Sequence, residues 1–269
     1  MIICKNCNNE FNGKFCNNCG QKVISHRLNF KFIIEELQHF FFHTDRGILF
    51  TIYQLLIHPG HTVREYIEGK RINHTKPLVF LLVVGSIELF LYSLFKFDFN
   101  INYELFFQNI DKNYVQEMRQ MMVSFSKFTD ILMSYDKYLN LGLLPFLAMY
   151  TYLLFKKYGL NYVEHFVINT YLLGQRLLIS CAFFPVMYLY NGTNVIFLIS
   201  FFSMFLMMVL FCWSFRQYFI KEKALIIIKK SIVAFGLSWL TLSLCAGIVA
   251  FLLYILGFLQ FPSLDAVHY

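Results

Sequence analysis

The sequence predicts an all-α, polytopic integral membrane helical bundle of about five spans, preceded by a small N-terminal zinc-ribbon-like module. Three observations carry that reading. Charged residues make up 14% of the 269 residues and hydrophobic ones 58%, whereas charged residues in a soluble domain run nearer ~25%. Long apolar runs almost free of charge recur along the chain, and an AT-rich coding bias toward Phe, Tyr, Ile, Asn and Lys does not produce them. The chain also opens on a polar stretch with two cysteine pairs, CKNCNNEFNGKFCNNCG.

The cysteines come first. Cys4-x2-Cys7 and Cys16-x2-Cys19, with Gly20 after the second pair, provide four thiolates at the spacing of two zinc knuckles, a set suited to one tetrahedral Zn²⁺. A segment of this size with few apolar side chains cannot fold on its own core, so the metal is expected to be structural and to hold residues 1–24 together. Paired disulfides need an oxidising compartment, which the orientation argued below denies. A redox C-x2-C belongs beside a βαβ pattern that is lacking here. Cys181, Cys212 and Cys245 fall inside apolar segments and read as small core residues.

Residues 25–76 alternate apolar faces with charges. Segments 29–43 and 44–57 are too short to span and read as amphipathic helices lying on the membrane or against the bundle. Pro59-Gly60 predicts a turn. Thr62 and Glu65 have the spacing of a capping box, so a short helix is expected to run to about Glu68, with Gly69 as its left-handed end. The basic residues Arg64, Lys70, Arg71 and Lys76 then fall at headgroup depth. They serve either as a plain basic stop at the interface or as a phosphate-binding elbow for anionic lipid headgroups. His39, His43, His58, His61 and His74 raise the question of a second metal site. The paired-histidine boxes of membrane di-iron enzymes are lacking, which favours ordinary interfacial histidines.

At this point the residues carry a resemblance. Cys4, Cys7, Cys16, Cys19, Gly20 and Gln21, followed by Pro59, Gly60, Tyr66, Gly69, Lys70, Arg71 and Pro77, resemble an uncharacterised bacterial multi-pass membrane-protein family. Its members carry an N-terminal C-x2-C…C-x2-CGQ ribbon and a PG…EYIEGKR…P element before the first span. The likeness covers residues 1–95 best. It implies a ribbon-bearing membrane protein and no particular activity.

A bilayer core near ~30 Å calls for roughly 17–25 mostly apolar residues per helix. Five segments meet it, at about 78–95, 139–155, 163–190, 195–215 and 232–258, making 77–258 the membrane domain. Residues 111–137 are expected to form an amphipathic helix on the outer side. Residues 1–29 lack the apolar core of a cleavable signal, so the first span is expected to act as a signal anchor. Counting Lys and Arg in the loops gives 17 on the N-terminal side against 5 on the other, which predicts a cytoplasmic N-terminus in the cell inner membrane and an outer C-terminus. The net charge of +7 follows the ends of apolar segments, a pattern for lipid headgroups and not for nucleic acid.

Inside the spans, Glu88 and the Gln175–Arg176 pair are the costly residues. Glu88 and Arg176 fall at similar depth and are expected to form an intramembrane pair. No Ser/His/Asp arrangement, Walker motif or dinucleotide fingerprint occurs, so the reading leans away from an enzyme. The sequence favours a non-enzymatic scaffold or regulator whose ribbon docks a cytoplasmic protein partner. The alternative is a transporter, channel or lipid-handling protein working around Glu88 and Arg176.

Overall fold

The computed structural model describes residues 1–23, 27–31, 47–95, 141–191, 193 and 195–255. Among them are a two-stranded hairpin and seven α-helices. The strands are β1, Ile2–Ile3, and β2, Glu10–Phe11, paired antiparallel with Ile2 opposite Phe11. The helices are α1, Ile48–Ile57; α2, Pro59–Glu68; α3, Pro77–Phe95; α4, over 141–155; α5, Tyr162–Leu189; α6, Val195–Tyr218; and α7, Ala224–Ile255. The outer helix expected at 111–137, most of the segment 29–43, and His39 and His43 lie outside the described residues.

Four helices are long and apolar enough to cross a membrane: Pro77–Phe95, Tyr162–Leu189, Leu198–Tyr218 and Ala224–Val249. The span expected at 139–155 is helical over 141–155, and its first two residues fall outside the described ones. The last helix starts at Ala224, not near 232, so it carries Lys229 and Lys230 inside its first two turns. Large apolar side chains face outward along these helices, among them Phe201, Phe205, Leu244 and Ile248. That surface suits lipid and would aggregate in water.

Helices α3 and α5 make the most extensive packing and run parallel. Their contacts climb in step: Phe80 with Tyr171 and Gly174, then Gly85 with Leu177, Tyr92 with Phe184, and Phe95 with Tyr188. Helix α4 turns back into α5 through a 3-10 turn, Lys156–Tyr158, closed by left-handed Gly159. Its Phe155 ring sits 4.9 Å from Phe215 and 5.1 Å from Phe219 at the end of α6. One core runs through all of this, with Leu55, Val63, Tyr66, Phe80, Val84, Phe155, Val167, Tyr171, Phe215 and Ile227 almost wholly buried.

The short helices α1 and α2 are part of that core. Helix α2 begins at Pro59, because a proline at the first helical position lacks only a donor that would go unused. The chain therefore turns at His58, and Thr62 lies inside the helix with its hydroxyl donating to the His58 carbonyl at 2.8 Å. The expected Thr62–Glu65 capping box does not form. A box of the same chemistry starts α5 instead, where the Asn161 side chain accepts from the Glu164 amide and the Glu164 carboxylate accepts from the Asn161 amide, both at 2.8 Å. Gly69 ends α2 at φ 110°, as expected.

Gly60 has a different task from turning the chain. A methyl group there would collide with the Ser214 carbonyl, the Gln217 Cβ and the Tyr218 nitrogen, so α2 lies directly against the end of α6. Gly60→Ala should lower the thermal midpoint of the purified protein by an overpacking loss of about 1–3 kcal/mol. Gly236→Ala in α7, where nothing lies within 4 Å, should not lower it. A Gly60→Ala protein as stable as the parent would mean that the two helices can part without cost.

Candidate metal centre and intramembrane cavity

The two cysteine pairs fold as a repeat. In the first, the Cys4 amide donates to the Asn9 carbonyl and the Asn8 amide to the Cys4 carbonyl; in the second, Cys16 and Gln21, then Gly20 and Cys16, do the same, all at 2.9 Å. Each knuckle needs one left-handed residue, taken by Asn8 at φ 57° and Gly20 at φ 75°. The four sulfurs lie within 4.8 Å of one another, and the Cys4–Cys19 and Cys7–Cys16 pairs are 3.6 Å apart. Metal–sulfur bonds of about 2.3 Å to a tetrahedral ion place sulfurs roughly 3.8 Å apart, so the set fits a metal ion. The knuckle amides also favour thiolates. The Cys19 amide bonded to Cys16 helps pull that thiol down to about 6, and the Cys7 amide lowers Cys4. Phe11 packs against the buried Cys4 and Cys16 as the ribbon's miniature core.

The ribbon is fastened to the helices at two places. Gln21, 6% exposed, donates to the Gly69 carbonyl at 2.8 Å and accepts from the Arg71 amide at 3.0 Å. Further on, Arg27 grips Glu164 at the start of α5 with two bonds of 2.5 Å, and Leu28 enters the bundle core. Gln21 therefore couples the knuckle to the α2–α3 elbow. No feature of a polar Gln after a Cys-Gly pair announces this in the sequence.

At the elbow, three of the four basic residues read as a phosphate site hold internal partners. The Arg64 guanidinium donates to the carbonyls of Gln217 and Tyr218, the open end of α6. Arg71 bonds the Tyr66 carbonyl at 3.0 Å and lies over its ring, and Lys70 pairs with Glu65 at 3.0 Å. Glu65 also faces His74 at 3.6 Å, and burial holds that imidazole below its ordinary pKa. His58 and His61 stack edge to face, and among the described residues the four cysteines alone form a metal-ligand cluster.

Glu88 and Arg176 meet at a cavity. It has a volume of about 330 Å³ between α3, α5, α6 and α7, and both side chains line it together with Ser180, Ser200, Ser203 and Trp239. Glu88 stands about 17 Å along α3 from its first residue, near the middle of that helix. Gln175, beside Arg176, points elsewhere: it is buried and donates to the Leu55 carbonyl, an open carbonyl in the last turn of α1.

The sequence reading passes over a polar cluster at the base of α5. Glu164, His165, Asn169 and Thr170 are all buried. Asn169 donates to Thr151 on α4 at 2.8 Å, whereas both His165 nitrogens, the Asn169 Oδ1 and the Tyr158 hydroxyl have no hydrogen-bond partner among the described residues. Within the cluster His165 and Asn169, four residues apart, share one helical face, and that spacing is the signal that marks them. The ribbon contact yields a direct expectation. Gln21→Ala should keep the metal yet speed tryptic cleavage after Lys70 and Arg71 several-fold, and an unchanged rate would mean the elbow is held without the ribbon.

Residues 45–88 match a family described as "Protein of unknown function (DUF3667)". The matched stretch contains α1, α2, the elbow and α3 as far as Glu88. No curated protein and no solved structure matches the chain.

Proposed function

We propose that this chain is a multi-pass inner-membrane protein that binds and handles a small polar or amphiphilic ligand at the Glu88–Arg176 cavity, with a zinc-held ribbon bracing its cytoplasmic end. The observation that carries the reading is that Glu88 from α3 and Arg176 from α5 line one cavity near mid-span. A charge at that depth costs about 2.5–3.5 kcal/mol even on the lenient insertion scale. A pair kept only for packing calls for no open volume around it, and here the volume is there. Thiolate-only coordination favours zinc among the common divalent ions. The orientation is supported by the basic residues that gather at the ribbon end of the bundle, where Arg64 and Arg216 lie against the end of α6 and Lys230 reaches the Leu154 carbonyl.

A second reading keeps the ribbon as a docking tab for a cytoplasmic protein. It is favoured by Ile3 and Phe15, which stand 63% and 59% exposed on the ribbon.

Three measurements test these assignments. Elemental analysis should find one zinc per chain, lost in Cys16→Ser and Cys19→Ser; zinc at the parental level in both would place the metal elsewhere. Glu88→Gln and Arg176→Gln should each lower thermal stability, and the double change should cost less than the two losses together; strictly additive losses would mean the two side chains do not interact. A reporter fused after Tyr269 should be active only if it requires the outer compartment, and cytoplasmic activity would reverse the orientation or change the span count.

A further inference from the structure

We infer that the ligand of the Glu88–Arg176 cavity is the headgroup of a zwitterionic phospholipid, its ammonium held on the Glu88 side and its phosphate at Arg176. The inference rests on the ligand-handling reading above and names the chemistry of the occupant.

Charge comes first. The cavity carries one carboxylate and one guanidinium, so its formal charges cancel. A net anion or cation would leave an uncompensated charge at low dielectric, where isolated charges are costly. A zwitterion can exchange partners with both groups and leave the balance unchanged. Both Glu88 and Arg176 already take part in polar or electrostatic contacts, so exchange, and not filling of empty positions, is the operation required.

The hydroxyls add direction. Ser200 donates to the Ile196 carbonyl at 2.8 Å and Ser203 to the Ser200 carbonyl at 2.8 Å. With their protons committed to α6, these oxygens have only lone pairs left for the cavity. Two serine acceptors with the Glu88 carboxylate suit an ammonium, and the Trp239 ring lining the same volume can add cation–π attraction. Arg176 is the donor-rich side, and its planar fork matches a phosphate.

Access points to lipid as the source. Phe201 lines the cavity and is 71% exposed, and Phe205, one turn along α6, is 59% exposed. The opening therefore has an apolar sill on the outward face of α6. A volume of about 330 Å³ takes a headgroup and leaves acyl chains outside along those phenyl rings.

The test uses the full chain, delipidated in detergent, with phosphatidylethanolamine, phosphatidylglycerol and water-soluble glycerophosphoethanolamine as probes. Retention by native mass spectrometry should favour phosphatidylethanolamine over phosphatidylglycerol by at least about tenfold. Glu88→Gln and Arg176→Gln should each abolish that preference. If either variant fails to fold, the swapped pair Glu88→Arg with Arg176→Glu retains the charge balance and should retain the preference for the zwitterion. Equal or tighter binding of phosphatidylglycerol overturns the zwitterion, as does a preference that survives both substitutions. Glycerophosphoethanolamine binding as tightly as the intact lipid overturns the membrane as the source. A photoactivatable phospholipid separates the two levels. Labelling beside Met204 without headgroup preference overturns the zwitterion and leaves the cavity as a ligand site, whereas no labelling there overturns both.

Discussion

The structure depends on supplying partners to the buried polar groups of α5. That helix buries Glu164, His165, Asn169, Thr170, Tyr171 and Gln175 among apolar neighbours, and an unpartnered polar group in such surroundings costs on the order of 1–3 kcal/mol. Three of these partners come from segments that do not span. Arg27 holds Glu164, the Thr75 carbonyl accepts from the Tyr171 hydroxyl at 2.6 Å, and the Leu55 carbonyl accepts from Gln175 at 2.9 Å. Thr51 joins the line, accepting from the Thr75 amide at 2.8 Å. The ribbon arm, α1 and the elbow are therefore structural members of the bundle. Removing any of them would leave a further buried polar group of α5 without its partner.

This dependence explains where sequence reasoning succeeded and where it stopped. Four long apolar helices were legible because such runs answer to a single physical variable, the thickness of hydrocarbon. The left-handed Gly69 and the convergence of the thiolates were legible because each is decided within a few residues. The start of α2 was misplaced for a local reason: the Thr62–Glu65 spacing satisfied the capping pattern, but Pro59 begins the helix one turn earlier. Gln175 reads from the sequence as a costly residue inside a span, because a lone amide in hydrocarbon is expensive. Its partner, the Leu55 carbonyl, lies 120 residues away in sequence, and no local pattern reports such a pairing. The contacts of Gln21 and Gly60, both of them motif residues, were not legible for the same reason, since they are made by surfaces brought together only in the fold.

The stretch that matches the family, residues 45–88, is held on more than one side by the bundle. That stretch buries Thr51, Leu55, Val63, Tyr66, Phe80 and Val84, and it holds the Gly60 approach to α6. Substitutions there must satisfy α5 and α6 together. The outward faces of α6 and α7 meet a far weaker demand, to be apolar, which many side chains meet equally well.

A mechanical continuity links the ribbon to the cavity. Gln21 fixes the backbone at residues 69 and 71, Tyr171 and Thr51 fix residue 75, and α3 then rises as one helix from Pro77 to Glu88 and beyond. Parallel packing on α5 sets the height of Glu88 against Arg176, because Phe80 sits against Gly174 and Leu177 against Gly85. A helix is stiff over this length, so a shift at its base is carried to Glu88 with little loss. The four-cysteine knuckle thus stands at one end of a chain of contacts and the charged cavity at the other. On this geometry the ribbon is tied through the elbow to the helix that carries Glu88, which gives a polar, cysteine-rich segment a structural role in so apolar a protein.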